Sequence, residues 1–444
     1  MIGFRRRTFK GGINPPGYKE LTNGKPIVKA KDPKVVYIPL QQHIGAPCDP
    51  LVEVGEKVKL GQKIGDSEAF VSAPVHSSVS GTVKSIEDYY TPSGGKSKTV
   101  IIESDGLDEV HEYIKPKGKL EDLSSKDIIK IIRESGITGL GGAGFPTHVK
   151  VSPPPEKKVH TFILNGAECE PFLTPDHRSM LEMFERIVFG SKALMKALNV
   201  EKGIIAIEKN KMNAIEAFKT VLKDSDHIEI IPMETKYPQG DEKRIINVIS
   251  GKEVPSGGLP MDLGYVVNNV ATAKAIADAI IEGKPLYERI VTVTGHIVKE
   301  PKVLLTKIGT PIQELIDQCN GFTEDPGKII TGGPMMGKSQ FTTKVPIIKT
   351  SGGVLALAKG DTLPVKVDPC IRCGKCLEVC PVYLQPLFIS AYALKNDLEN
   401  ADKYDAVDCV ECGACSYICP SKRPLAESIK LAKGEILSKR RNTS

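Results

Sequence analysis

The chain has 444 residues, of which 26% are charged and 40% hydrophobic, and carries a net charge of +6. That length exceeds one ordinary core and predicts about three or four domains, while so small a charge surplus does not mark a nucleic-acid binder. No apolar run approaches the roughly 18 to 20 residues of a spanning helix, and no apolar h-region follows the basic start "MIGFRRRTFK", so neither a membrane span nor a secretory signal is expected.

In chain order, residues 1–34 are rich in Gly, Pro and Lys ("GGINPPGYKE") and read as an extended arm. Residues 35–105 alternate short β-like runs with Gly turns, which predicts a small barrel or sandwich. The phrases "VGEKVKLGQKI" and "APVHSSVSGTV" resemble the biotinyl/lipoyl-like barrel-sandwich family. Those carriers present a modifiable lysine at a hairpin tip. Here the tip, residues 66–70, reads "DSEAF" and holds none, so the expectation is a structural module without a tethered cofactor.

Residues 120–285 change to alternating helices and strands. "SSKDIIKIIRESG" has helical spacing, "VHTFILNG" reads as a buried strand, and "DHRSMLEMFERIVFGSKALMKAL" as one long helix. Strand–helix pairs follow through "GIIAIE", "IEIIPM" and "YVVNNVATAKAIADAII", the pattern of an α/β domain with a largely parallel sheet. Residues 290–340 read as strand, turn, strand and helix, a β-grasp module of the soluble-ligand-binding type, followed by the loop "TGGPMMGK".

Residues 360–430 hold eight of the eleven cysteines. Cys370, Cys373, Cys376 and Cys380 precede Pro381, and Cys409, Cys412, Cys415 and Cys419 precede Pro420. Each run is C-x2-C-x2-C-x3-C-P, the bacterial ferredoxin spacing, in which the fourth thiolate reaches the other cluster. The expectation is one [4Fe-4S] cluster on Cys370, Cys373, Cys376 and Cys419 and a second on Cys380, Cys409, Cys412 and Cys415. Structural zinc fits poorly, because its knuckles place two C-x2-C pairs apart. Cys48 and Cys319 read as small buried hydrophobes, and Cys169 as a bystander in a polar motif.

The stretch "GITGLGGAGFPTHVK", residues 136–150, spells G-x-G-x-x-G at Gly139, Gly141 and Gly144. A dinucleotide fingerprint must follow a strand and open a helix. This one follows a helical segment and runs into Pro146 and "VSPPPEKK", so a Rossmann unit is excluded. Its glycines leave backbone N–H groups open to a flat or phosphorylated ligand. "NGAECEP" (165–171), "YPQGDEKR" (237–244) and "NNVAT" (268–272) each follow a strand-like run, which places them with the loop at one cleft.

"GLGGAGFPTHVK", "LNGAECEP", "QGDE" and "NNVAT" resemble the flavin- and NADH-binding subunit of respiratory complex I. With "FKGGINPPGYKEL" at the start and two ferredoxin runs at the end, the chain resembles more closely the RnfC family of Rnf electron-transport complexes. The resemblance implies that Gly139, Gly141, Gly142 and Gly144 line a non-covalent FMN and that Lys150 contacts its phosphate. It implies that Asn165, Glu168, Asn268, Asn269 and Thr272 hold the flavin ring and ribityl chain. Phe145, Glu170, Gly240, Asp241 and Glu242 would then form the NAD(H) side, with Phe145 stacked on a base. Two departures remove positive charge: Leu140 stands where complex I carries an arginine, and no lysine precedes Asn268.

The implied function is an NADH-linked oxidoreductase component, peripheral on the cytoplasmic face of the inner membrane. Its partners would be the membrane subunits of an ion-translocating complex, with ferredoxin an indirect one. A flavin is required chemically, since NADH gives a hydride and a cluster takes one electron; no general base is named. The rival expectations are a microcompartment-type cobalamin reductase, a flavin-free iron-sulfur conduit, and a lipoyl-type carrier.

Overall fold

The computed structural model describes residues 7–362 and 366–443. The barrel-sandwich is built as expected. Strands Val35–Pro39, Lys96–Ser104, Gly81–Tyr90 and Lys57–Val58 form one antiparallel sheet, and Asp49–Pro50, Lys63–Asp66 and Val75–His76 form the other. Alternate residues such as Val36 and Ile38 turn inward and meet Ile64, Val75, Val83, Val100 and Ile102 in a single core. The lysine-free tip docks onto the neighbouring unit, the Phe70 carbonyl lying 3.1 Å from His148 Nε2.

The α/β unit has four parallel strands in the order Ile228–Met233, Lys202–Glu208, Thr161–Gly166, Tyr265–Asn269. Thr161–Gly166 sits inside the sheet and is buried almost throughout, as its unbroken apolar run requires. Helices Ser125–Glu134, Phe184–Leu198 and Val270–Ile281 cover one face. Helix Glu242–Ser250 covers the other, joined by Phe9 from the arm. Ser124 opens Ser125–Glu134 with a full capping box on Asp127.

The long helix expected after Pro175 is two helices, Pro175–Glu182 and Phe184–Leu198, broken at Met183, whose φ is −135°. The halves serve different neighbours. The second lies so close to helix Val270–Ile281 that a Cβ on Gly190 would sit 1.8 Å from the Ala273 carbonyl oxygen. The first turns toward the carboxyl edge of the sheet, where Glu168 accepts from the Asp176 N–H at 2.7 Å.

The β-grasp strands Glu288–Thr294 and Lys302–Lys307 and helix Ile312–Gln318 appear where expected, within a larger sheet. Its order is Ile27–Lys29, Lys302–Lys307, Glu288–Thr294, Gly353–Ala358, Pro326–Thr331, Lys338–Gln340. The arm therefore supplies an edge strand, and Gly353–Ala358 arrives from beyond residue 340 to pair on both sides. Residues 1–6 of the arm and 363–365 of the cysteine-bearing segment lie outside the described residues. That segment is helical, with Pro386–Ala393, Leu398–Lys403 and Leu425–Thr443 packed around Ile389, Leu398, Ala401 and Ile429. Among the described residues no helix is long and apolar enough to cross a membrane.

Candidate functional site

Three of the four parallel strands end in a motif singled out by the sequence. Thr161–Gly166 runs into "NGAECEP", Ile228–Met233 leads to "YPQGDEKR", and Tyr265–Asn269 becomes "NNVAT". The glycine loop closes over this edge from between helix Ser125–Glu134 and the one-turn helix Thr147–Lys150, so no strand precedes it. Its ends are stitched by Gly139 N to Phe145 O at 2.8 Å and Thr147 N to Ile137 O at 3.1 Å. Its tip, residues 141–143, is exposed. Gly142 has φ +139°, and a Cβ there would meet nothing within 4 Å. The backbone thus leaves an open cradle that a side chain would fill.

Thr272 Oγ accepts from Leu140 N at 3.0 Å, which ties the loop to the first turn of helix Val270–Ile281. Asn269 caps that helix through Ala271 N at 2.8 Å and donates to Asp176 at 2.6 Å. Asn165 donates to Gly240 O at 2.9 Å, joining two of the strand-end loops. Lys150 pairs with Glu242 at 2.6 Å across the cleft. Asp241 caps helix Glu242–Ser250 through Arg244 N at 3.0 Å, and burial raises its carboxyl above the ordinary aspartate range. Phe145 is half-buried at the loop's return. Several atoms in these elements are left over, Thr138 Oγ1, Gln239 Oε1 and Arg244 Nε among them. Asn268 Nδ2 and Glu168 Oε2 are buried without a hydrogen-bond partner, a state native proteins rarely tolerate unless another group completes it.

Glu168 lies in a buried charge cluster that the sequence did not reveal. Lys19 from the arm donates to the carbonyls of Glu170 at 3.0 Å and Leu173 at 2.6 Å, and stands 3.8 Å from Glu168 Oε2. Lys211 pairs with Glu208 at 2.8 Å. Burial pushes the Glu168 carboxyl up to about 7, with Lys19 pulling the other way. Burial likewise lowers Lys19. For Lys211 burial acts in the same sense, but the carboxylates of Glu208 and Glu168 outweigh it and raise the ammonium. The signal for Lys19 was present in "GYKEL", but only the fold brings it under residues 168–173.

Glu170 does not face the cleft alone. Its carboxylate accepts from Met335 N at 3.1 Å and Met336 N at 2.8 Å, so the "TGGPMMGK" loop is its partner. The position opened by Leu140 is also filled. Leu140 is buried, and its carbonyl accepts at 2.6 Å from the buried guanidinium of Arg289, a β-grasp residue whose charge also faces Asp176. Val267, which stands just before Asn268, is a buried strand residue.

The cysteine runs abut this cleft. Tyr237 Oη donates to Cys412 O at 2.7 Å, buried Arg244 donates to Pro381 O, and Gly12 N donates to Val379 O at 2.8 Å. The arm's two glycines are wedged here: a Cβ on Gly11 would sit 2.7 Å from Cys380 O, and one on Gly12 2.6 Å from Tyr237 O. The runs repeat one backbone. Arg372 and Glu411 share a positive φ (54° and 56°), as do Gly374 and Gly413 (77° and 75°) and Tyr383 and Lys422 (57° and 51°). Arg372 N donates to Cys370 Sγ and Glu411 N to Cys409 Sγ, both at 3.4 Å. Alternating left-handed residues turn N–H groups inward, a cradle for the negative charge of thiolates on a cluster.

All eight thiols are free. Burial pushes Cys412 up to about 12, and the neighbouring Cys409 and Cys380 add to the rise. Burial also raises Cys376, whose sulfur neighbours are Cys419 and Cys370. Cys380 and Cys409 pack in one cluster and Cys376, Cys415 and Cys419 in another, so the two runs lie against each other. Of the remaining cysteines, Cys48 and Cys319 are buried, and Cys169 Sγ accepts from Gly240 N at 3.3 Å within the cleft wall.

Four family descriptions match in chain order: the RnfC barrel sandwich hybrid domain over residues 7–107, the Nuo51 FMN-binding domain over 132–278, the SLBB domain over 290–339, and a 4Fe-4S dicluster domain over 366–423. The chain is 50% identical over 440 residues to the C subunit of the Na(+)-translocating ferredoxin:NAD(+) oxidoreductase complex of Acetobacterium woodii, covering 99% of each chain. It is 50% identical to the proton-translocating counterpart of Clostridium ljungdahlii (97% of this chain, 94% of that one). To the C subunit of the ion-translocating oxidoreductase complex of Rhodobacter capsulatus it is 41% identical (97% and 83%).

The chain belongs to the RnfC family.

The Nuo51 and dicluster matches give it FMN and two [4Fe-4S] clusters, with NAD(H) consistent as substrate, and the flavin-free conduit is not favoured. The residues present fit both groups. An open glycine backbone and the unpartnered atoms of Asn268 and Glu168 suit a flavin, and paired thiol cradles with inward N–H groups suit cubanes.

Proposed function

We propose that this chain is the peripheral NADH/FMN/iron-sulfur subunit of a membrane-bound ferredoxin:NAD oxidoreductase, seated on the cytoplasmic face of the membrane. The observation that carries the reading is the direct junction of the two sites, in which Tyr237 of the flavin-side loop and Arg244 of the helix that follows it bond the backbone of both cysteine runs.

Bound FMN supplies the exchange between a hydride and single electrons. The chain's own residues bind and orient. The backbone of Gly139, Gly141, Gly142 and Gly144 admits the flavin, and Lys150 neutralises its phosphate. Asn165, Asn268, Asn269, Thr272 and Glu168 hold the ring and ribityl chain. Phe145, Glu170, Gly240, Asp241 and Glu242 stand on the NAD(H) side. Cys370, Cys373, Cys376 and Cys419 ligate one cluster, and Cys380, Cys409, Cys412 and Cys415 the other. Both ligand sets must lose protons on loading, so assembly is pH-dependent.

The test is loading. Reconstituted protein should bind one FMN and about eight irons per chain. G142V should lose the flavin and keep the iron, since it fills the open cradle without touching the cysteines. Flavin binding unchanged in G142V would refute this placement.

A further inference from the structure

The glycine loop is held by buried cations as well as opened by its glycines. Gly136, where the stretch 136–150 begins, gives its carbonyl to the Lys349 ammonium at 2.7 Å, and the same ammonium holds Pro74 O of the barrel-sandwich at 2.6 Å. Lys349 N donates to Gln42 Oε1 at 3.0 Å. Toward the loop's other end, Ile44 N donates to Gly144 O at 3.2 Å, and a Cβ on Gly144 would sit 2.7 Å from Thr350 Cγ2. Residues 42–44 and 349–350 thus clamp the loop at both ends, and Arg289 holds Leu140 O between them. Among the described residues, the N–H groups of Gly141, Gly142 and Ala143 bond to no other backbone group, which leaves them to a ligand.

Lys349 is 1% exposed, its hydrogen bonds go to carbonyls, and among the described residues it makes no ion pair. A buried charge without a counter-ion is costly, and such groups gather at sites that use them. The titratable groups that act on it or share its surroundings are His43, Cys48, Asp66 and His76. Asp66 is already paired with Arg133 at 2.8 Å and Lys63 at 2.9 Å, and those two cations also pair with Glu134. Burial holds both imidazoles below their ordinary range, His43 at about 4, and pushes the Cys48 thiol up. The same burial lowers the Lys349 ammonium to about 8, with Cys48 and Asp66 pulling the other way. Lys349 is therefore the member of this group whose charge changes in mildly alkaline solution.

We propose that Lys349 is a positioning residue of the flavin site, its ammonium fixing the start of the glycine loop against the barrel-sandwich in the shape that receives FMN. It rests on the placement of FMN at that loop. With Arg289 it supplies buried positive charge to a loop that carries Leu140 where complex I has an arginine. The barrel-sandwich, which presents no modifiable lysine at its tip, serves here as the abutment of the flavin loop.

The test is FMN titration of the cluster-loaded full chain, read by quenching of flavin fluorescence, for wild type, K349M and K349R. K349M should bind FMN about tenfold more weakly, the effect of losing hydrogen bonds from a charged donor, with its iron content unchanged. K349R should recover most of the affinity. From about pH 7.5 to about pH 9 the wild-type affinity should fall about threefold or more as the ammonium loses its charge. K349R, whose guanidinium keeps its charge, should stay level across that window. Glu168, at about 7, and the FMN phosphate titrate at lower pH. Wild-type affinity in folded K349M would overturn the proposal, as would a pH slope that K349M shares. A level wild-type series would overturn it without any variant having to fold. Flavin kept by G142V would refute the placement of FMN, whereas flavin lost in G142V but bound normally by K349M would refute the role of Lys349 alone.

Discussion

The hydroxyl of Tyr237 donates to the carbonyl of Cys412 at 2.7 Å, and both residues are buried. Tyr237 lies in the loop that carries Gly240, whose carbonyl accepts from Asn165 at the end of strand Thr161–Gly166, so one short segment touches the flavin-side cleft and a cluster-binding run. Y237F leaves the Cys412 carbonyl without its donor, a loss of about 1–3 kcal/mol for a buried group. Chemical denaturation should show a lower midpoint with FMN binding retained. An unchanged midpoint would mean the junction does not hold the units together.

Arg289 reaches from the β-grasp sheet to hold the glycine loop at Leu140 O, and its buried charge faces Asp176. R289M leaves the Leu140 carbonyl without its charged donor, a loss of about 1.5–3 kcal/mol. FMN affinity, read by quenching of flavin fluorescence, is expected to fall at least tenfold, with partial recovery in R289K. Wild-type affinity in R289M would show that the loop needs no support from below.

Glu168 gives a pH signature. Burial lifts its carboxyl from the ordinary 4.5 to about 7. A carboxyl that holds its proton more tightly when folded supports the fold at low pH and loses that support as pH rises through about 7. Stability should therefore fall between pH 4.5 and 7, by at most about 1.4 kcal/mol per pH unit from this group. E168Q should remove that slope, which parallel denaturation series would read as a difference curve. A flat difference curve would place the proton elsewhere in the cluster with Lys19 and Lys211.

The crossing of the cysteine runs is testable through pairs of variants. C419A and C370A should abolish the same EPR signal, and C409A a different one, each removing about half the iron. If C419A matched C409A instead, each run would hold its own cluster.

Much of this was legible in the sequence because the signal was local. The cysteine spacing, the strand–helix alternation and the glycine loop's wrong context for a Rossmann unit all lie within short windows. What was hidden depends on contacts across long sequence separations. Lys19 becomes part of the cleft only because the arm folds back beneath residues 168–173, and Arg289 reaches the glycine loop from another sheet. The "TGGPMMGK" loop showed no chemistry in its side chains, since it engages Glu170 through backbone N–H groups. Met183 carries no helix-breaking signal, and the break there accompanies the divergence of two helices toward different neighbours.

The central claim is that hydride and single-electron chemistry meet in this one chain, and an anaerobic NADH titration of the FMN- and cluster-loaded protein tests it most directly. Flavin absorbance should bleach while reduced-cluster EPR signals grow with it. Bound flavin that NADH leaves oxidised, with no cluster signal, would contradict the account.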